Sequence, residues 1–388
     1  MKTFWVLVVL SIALVLLWNS GFPPLYRVSL LLAIGLVLSR LWVWGHLRRV
    51  EGSLEVSAQR VQVGQGVEVR VRLHNPSLIP KPWLVLKLES DLPQSPRSMV
   101  VTLPSRSART WRFNIPCQQR GQFCLGPLVL SSRDPFGLLQ RTLTLGSRHE
   151  LLVYPKTVDL APSVVMVARS TDGEIARFGL RGSAPIIGGV RDYLPGDSFS
   201  RIHWLSSARM RRLMSKQLEQ ETSQDVWLLV DMEARVQAGE GEESTAEYGV
   251  TLAASLAKSL VEANRSVALA AWCRHLHVVP PGKGATQLSR VMEALSMAGQ
   301  GMEPLPRLMA QTEERWRSGS TLVIVTPSVE ESCFASLRTA IQRGSQVLLF
   351  WVDASTFNGK GPQPAPSWDW DRATSYSVKR GELWRLGL

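Results

Sequence analysis

A chain of 388 residues is too long for one ordinary domain and long enough for two sizeable cores plus an anchor. Its 44 Lys and Arg outnumber 32 Asp and Glu, for a net charge of +12. That excess is spread along the chain rather than gathered in a tail, so an anionic lipid surface accounts for it more simply than nucleic acid, and no nucleic-acid partner is expected. The four cysteines, Cys117, Cys124, Cys273 and Cys333, form no C-x-x-C pair and no zinc spacing, and they read as reduced thiols. Cys117 and Cys124 would face each other across a hairpin at Gly121, forming a disulfide only in an exported domain.

The N-terminal region, residues 1–48, carries two apolar runs, Phe4 to Trp18 and Val28 to Trp44, separated by Gly21-Phe22-Pro23-Pro24. With their flanks each approaches the roughly 20 residues a spanning helix needs, and Trp18, Tyr26, Trp42 and Trp44 suit aromatic belts. No small-x-small cleavage site follows the first run, so a two-helix transmembrane hairpin is expected rather than a signal peptide. Lys2, Arg40, Arg48 and Arg49 place both ends of the hairpin in the cytoplasm by the positive-inside rule, against Arg27 in the outer loop.

Residues 50–155 change to short alternating runs, among them Val67 to Leu73, Trp83 to Leu88, Ala108 to Ile115, Gln122 to Leu125 and Leu143 to Val153. Frequent prolines punctuate them, the pattern of an all-β, Ig-like sandwich. Asp134-Pro135-Phe136-Gly137 reads as a tight turn carrying an aromatic. Residues 156–187 have linker composition, and neither Gly179 to Ser183 nor Gly282 to Thr286 has the spacing of a phosphate-binding loop.

Residues 188–222 concentrate unusual chemistry. Gly189, Arg191, Asp192, Tyr193, Pro195, Gly196, Asp197, Arg201, His203 and Trp204 fall in one short stretch. Pro195-Gly196 predicts a type II turn whose arms bring Asp192 and Asp197 to Arg191 and Arg201. His203 is expected to pack structurally beside Trp204, since its neighbouring serines carry no Gly-x-Ser-x-Gly elbow. The basic run Arg209, Arg211, Arg212 and Lys216 follows directly, as a solvated face, a lipid contact or a docking patch. From 223 to 356 strands and helices alternate: Val226–Val230, Thr245–Asn264, Val267–Trp272, Thr286–Met297, Thr321–Val325, Ser332–Arg343 and Val347–Val352. This order predicts a Rossmann-like parallel sheet covered by helices, with sites at the carboxyl ends of its strands. Residues 357–388 form a tail with room for one final strand.

The run from Gly188 to Trp204, continued by Ser207-Ala208-Arg209 and by Leu213 to Glu221, resembles the signature of the bacterial domain of unknown function 58 family. Arg120-Gly121-Gln122-Phe123, Leu125-Gly126-Pro127-Leu128 and Arg133-Asp134-Pro135-Phe136-Gly137-Leu138 resemble the segment that precedes that domain in its relatives. The resemblance implies a multidomain protein of the bacterial inner membrane with a β-sandwich and a von Willebrand factor A-like α/β domain. It implies a MoxR-type AAA+ ATPase as partner, and no established reaction.

In von Willebrand factor A-like domains the first strand ends in Asp-x-Ser-x-Ser, which holds Mg²⁺ with a later Thr and Asp. Here Asp231-Met232-Glu233-Ala234-Arg235 keeps the first acid alone, and Thr326-Pro327-Ser328 brings no second one. Asp231 and Glu233 remain weak metal candidates beside the repelling Arg235, and the expectation is no cofactor. Cys273, His275 and His277 alternate on an expected strand, but no fourth ligand accompanies them. The sequence therefore predicts a multi-pass membrane adaptor or assembly protein with cytoplasmic soluble domains. Its partners would be the ATPase, other membrane proteins and anionic lipid, and it would not be an enzyme; the alternative is a metal-dependent hydrolase using Asp231, Glu233 and His203.

Overall fold

The computed structural model describes residues 23–93, 98–137, 139–160, 187–194, 202–218, 225–273, 275–317, 319–328, 331–357 and 373–382. The first apolar run, most of the expected linker and most of the tail lie outside them. The chain divides into two units, Met1–Tyr154 and Pro155–Leu388.

In the first unit, helix α1 (Pro23–Leu47) begins with two prolines, tolerated in a first turn whose N–H groups lack intrahelical partners anyway. At ~1.5 Å per residue it reaches roughly 38 Å, against about 30 Å of bilayer hydrocarbon. It is the one helix among the described residues long and apolar enough to cross a membrane, with a mean hydropathy of 1.7 over Leu30–Leu47. Its buried side chains, Ser39, Val43, His46 and Leu47, recur at helical spacing near one end, whereas Val28, Leu31, Leu32, Ile34, Val37 and Leu38 are exposed. The buried stripe lies against two of the strands that follow.

Those strands are β1 (Glu51–Val56), β2 (Arg60–Gln62), β3 (Gly66–Asn75), β4 (Lys81–Ser90), β5 (Met99–Leu103), β6 (Ser107–Pro116), β7 (Gly121–Arg133), β8 (Gln140–Leu145) and β9 (His149–Tyr154). They form a three-stranded sheet, β1-β3-β6, and a six-stranded sheet, β2-β9-β7-β4-β5 with β8 paired to β7. One apolar core receives residues of both: Val67, Val69, Val71 and Leu73 from β3, and Leu84, Leu86, Leu128 and Leu130 from β4 and β7. On β3 the intervening Arg70 and Arg72 point to solvent, so the period-two pattern fixes which face is buried. Gly126 has φ +90°, and a Cβ there would meet the Ser147 carbonyl oxygen at 2.6 Å, which explains a glycine in the Leu-Gly-Pro-Leu motif. The expected hairpin at Gly121 is not formed. β6 and β7 belong to different sheets, so the chain there crosses the core, and Cys117 and Cys124 are free thiols.

Helix α1 is held by polar contacts as well as by its stripe. Ser39 Oγ donates to Asp134 Oδ2 at 3.0 Å in a buried contact, and the buried Lys81 ammonium donates to the Arg48 carbonyl just past the helix end. Asp134 also accepts from the N–H groups of Phe136 (3.1 Å) and Leu139 (2.6 Å), closing the expected turn. Burial works against this carboxylate, but the bonds from Leu139, Ser39 and Phe136 outweigh it and hold its pKa below the usual aspartate range.

In the second unit, residues 156–160 are not free linker: the Val158 N–H donates to Ser255 Oγ at 2.9 Å, and Asp159 lies 3.7 Å from Lys258. Its elements are β10 (Ile187–Asp192), α2 (Trp204–Met210), β11 (Met214–Leu218), β12 (Asp225–Val230), β13 (Gly239–Glu240), β14 (Glu243–Ser244), α3 (Thr245–Glu262), β15 (Ser266–Trp272), β16 (Leu276–Gly282), α4 (Gly284–Met297), α5 (Leu305–Thr312), β17 (Thr321–Thr326), α6 (Glu331–Gln342), β18 (Gln346–Val352) and β19 (Ala373–Val378). Six strands form one sheet in the order β16-β15-β12-β17-β18-β19. All are parallel except β16, which the expected all-parallel sheet omits. Every residue of β12 and β17 is buried, as continuous apolar strands require when both faces are covered. Helix α3 starts in a capping box, Ser244 Oγ accepting from the Glu247 N–H, and is buried over most of its length.

Replacing Asp134 by Ala strands two N–H donors and the Ser39 hydroxyl, and should destabilise the first unit by about 1–3 kcal/mol at neutral pH. Because the folded pKa is depressed, Asp134's contribution is fully present above the unfolded value of about 3.9 and is lost as pH falls through the lower folded value. Thermal melts of parent and Asp134→Ala should therefore differ at neutral pH and converge in strong acid.

Candidate functional site

The signature segment folds on itself. β10 and β11 pair antiparallel, with Asp192 opposite Met214, and α2 sits in the connection between them. The Tyr193 N–H donates to the Leu213 carbonyl at 2.9 Å, and the His203 N–H to the Met214 carbonyl at 2.8 Å. Buried Ser207 ties helix to strand, its hydroxyl donating to the His203 carbonyl (3.0 Å) and accepting from the Met214 N–H (2.9 Å). His203 Nδ1 accepts from the Ser206 N–H at 3.1 Å and so caps α2, while Arg211 in the left-handed region (φ 53°) ends it.

With Ser207 turned inward, this small platform shows apolar side chains to solvent. Trp204 is 67% exposed and Leu205 76%, and Leu194, Met210 and Leu213 are exposed with them. Arg209, Arg211 and Arg212 are exposed on the same hairpin. Large apolar side chains gathered beside arginines mark interaction surfaces, where Trp and Arg contribute most. Trp204 is thus not packed against His203 as the sequence suggests. Ser206 meets His203 through its backbone N–H rather than its hydroxyl, and Ser198 and Ser200 lie outside the described residues.

Asp192 pairs with a residue of the basic run, while the Arg191 side chain, Asp197 and Arg201 of the expected pairs lie outside what the structure describes. Asp192 Oδ2 lies 3.0 Å from Arg212 Nη1, with both side chains more than half exposed. An exposed pair of this kind contributes about 0–1 kcal/mol rather than the several of a buried one. Arg212 of the basic run is thus tied to Asp192 of the signature. Gly189, Arg191 and Lys216 contribute backbone to β10 and β11; Pro195, Gly196, Asp197 and Arg201 lie outside the described residues.

A second candidate lies where sheet order reverses, between β12 and β17, the place at which open α/β sheets bind ligands. Asp231, just past β12, accepts from Thr326 Oγ1 at the end of β17 (Oδ2, 2.7 Å) and from the Glu233 N–H (Oδ1, 3.0 Å). Thr326 Oγ1 also lies 2.5 Å from the Ser328 carbonyl. Asp231 and Glu233 are both buried, and Arg235 Nε approaches Glu233 Oε1 at 4.0 Å. Asp231, Glu233, Val236, Leu305, Pro306, Ser328 and Cys333 line a crevice there that is too narrow to hold a water molecule. Cys273 and His275 sit in the turn between β15 and β16, with the Cys273 N–H donating to the His275 carbonyl at 3.0 Å, and only His277 lies on a strand. The turn breaks the expected alternation, and among the described residues no three His, Cys, Asp or Glu side chains are placed to hold a metal ion.

Residues 189–343 match the family model described as protein of unknown function DUF58. The match runs from the signature hairpin through α6. The chain is also similar to the uncharacterized protein YeaD of Bacillus subtilis, 24% identical over 268 residues, covering 65% of this chain and 63% of that protein. It thus spans less than two thirds of that relative's length. Among solved structures, the CARDB domain of the PF1109 protein from Pyrococcus furiosus, in complex with di-metal ions, covers 27% of this chain and 91% of its own at 14% identity and a TM-score of 0.21. The alkylpurine DNA glycosylase AlkC of Pseudomonas fluorescens covers 38% of this chain and 43% of its own at 12% identity, also with a TM-score of 0.21. Likeness at that level carries neither fold nor function to this chain.

The platform and its outer face respond to different substitutions. Ser207→Ala leaves the buried Met214 N–H without its acceptor and should cost about 1–3 kcal/mol, whereas Trp204→Ala should stay within about 0.5 kcal/mol. Denaturant melts of the two variants measure both.

Proposed function

We propose that this protein is a membrane-anchored adaptor or assembly factor of the bacterial inner membrane, which docks a partner through the signature hairpin. The carrying observation is the exposure of Trp204, Leu205, Met210 and Leu213 beside Arg209, Arg211 and Arg212, on a hairpin held by the bonds of Ser207 and His203. Helix α1 supplies the anchor, and the excess of cationic residues suits a cytoplasmic face near anionic lipid. The partner class, a MoxR-type AAA+ ATPase, rests on the family resemblance; the apolar and cationic surface suits a partner groove with an acidic rim.

The α/β region is read as von Willebrand factor A-like. That reading is supported by the order of its six strands, the antiparallel β16 among parallel neighbours, and the Asp231–Thr326 pair at the strand ends. The residues do not fit the Mg²⁺ such domains hold. Both Asp231 oxygens accept hydrogen bonds from protein groups, Glu233 and Arg235 stand where the two hydroxyls of the pattern belong, and the Arg235 guanidinium lies beside Glu233. A binding role rather than metal-dependent hydrolysis follows.

Affinity capture of the full chain from detergent extracts tests the docking surface. Trp204→Asp with Leu205→Asp should leave the melting temperature near that of the parent and weaken capture of the ATPase by about 2 kcal/mol or more, roughly thirtyfold. Full capture by that variant would move the docking site elsewhere.

A further inference from the structure

The first unit carries a second exposed apolar group, at one end of its larger sheet. Phe136, on the β7–β8 turn, is 70% exposed, and Leu78 and Ile79, on the β3–β4 turn, are exposed with it. Strand register brings the two turns together: β4 and β7 pair antiparallel with Val85 opposite Ser131, so the start of β4 meets the end of β7. The β5–β6 turn joins them, since the Arg106 N–H donates to the Ser77 carbonyl and the Asn75 side chain to the Pro104 carbonyl. Trp83 is exposed at the same end, at an irregularity of the β4–β5 pairing where its φ is +53°. A bulky residue held in that region is strained, and such strain is found where an outward-turned side chain has use.

Helix α1 indicates what covers this end. Its buried stripe begins at Ser39, whose hydroxyl bonds Asp134 in the Phe136 turn, and none of the described side chains before it is buried, with Val28, Leu30, Leu31, Leu32, Ile34, Val37 and Leu38 exposed. The helix therefore leaves the β sheets at the turn that carries Phe136. From Pro23 to Leu38 the departing part spans roughly 24 Å at ~1.5 Å per residue, against about 30 Å of hydrocarbon. The exposed apolar stretch ends at Ser39, so the membrane boundary of a spanning α1 falls near the β7–β8 turn that Ser39 bonds. Arg40 lies at that level and can snorkel outward, while Arg106, Arg133 and Arg141 stand exposed around the turns.

From this geometry we infer that the end of the first unit formed by the β3–β4 and β7–β8 turns is a lipid-contacting surface. Phe136, Leu78, Ile79 and Trp83 enter the interfacial layer, and Arg106, Arg133 and Arg141 meet anionic headgroups. Aromatic and apolar side chains ringed by arginine suit that layer, where ring and headgroup are both satisfied. The inference rests on the reading of α1 as a membrane anchor, and it adds a fixed seat for the folded part on the bilayer.

The full chain, reconstituted into phosphatidylethanolamine and phosphatidylglycerol vesicles, tests it. The photoreactive residue 4-benzoylphenylalanine is placed at Phe136 or, as a control, at Phe123 near the opposite end of β7. Lipid adducts after illumination should be severalfold more abundant from position 136. Alkaline carbonate extraction of the same vesicles scores the anchor separately. Release of the chain would sink both the anchor and the seat; retention with equal or absent lipid adducts at 136 would sink the seat alone and leave the patch to a protein partner.

Discussion

The hydrogen bond from Ser39 to Asp134 sets the organisation of the first unit. It joins a helix of membrane length to a folded β structure at one defined level, and it is buried, so breaking it leaves a hydroxyl and a carboxylate without water in their place. The same carboxylate closes the β7–β8 turn through Phe136 and Leu139. One aspartate thereby fixes both where the helix departs and how the neighbouring aromatic is presented. Burial of Val43 and Leu47 adds apolar packing, and the polar contact supplies its register.

The second unit solves a related problem at its signature hairpin. Short elements cannot bury much, and α2 has seven residues. They are held by bonds that satisfy helix and strand ends together, with Ser207 bonded on both sides and His203 used as a cap. Because polar groups hold the platform, its large apolar residues are left on the outside, which is how a short segment becomes a docking surface rather than core. The strand-end site between β12 and β17 follows the opposite logic: Asp231 and Thr326 satisfy each other, and the pair closes the place where such sheets often open to ligands.

Much of the architecture was legible in the sequence, for physical reasons that differ by element. Val67 to Leu73 alternate strictly and Val226 to Val230 are uniformly apolar, and these patterns match a half-buried and a fully buried strand. Helix α3 carried both its capping box and its apolar length. Helix α5 was missed: Pro304 and Pro306 interrupt its start, although Leu305, Leu308, Met309 and Thr312 keep the helical spacing. The pairing of Arg212 with Asp192 depends on strand register across twenty residues, which local charge spacing does not reveal. The expected alternation of Cys273, His275 and His277 failed because a tight turn, unmarked by glycine or proline, interrupts the strand there. The sequence places His203 in packing beside Trp204 because its serines form no nucleophile elbow, and the exposure of Trp204 departs from that. Nothing in its neighbours signalled that Ser207 would take the inward position instead.

The most direct measurement of the membrane account is a depth scan along α1. Single nitroxide labels are introduced at Leu31, Leu38, Trp42 and Arg48 of the full chain in vesicles, after Cys117, Cys124, Cys273 and Cys333 are replaced. Collision with lipid-soluble oxygen is then compared with collision with a water-soluble nickel complex. Oxygen should dominate at Leu31 and Leu38, the two should approach balance near Trp42, and nickel should dominate at Arg48. Dominance of the nickel complex at all four positions would contradict the account, because the helix would then lie in water.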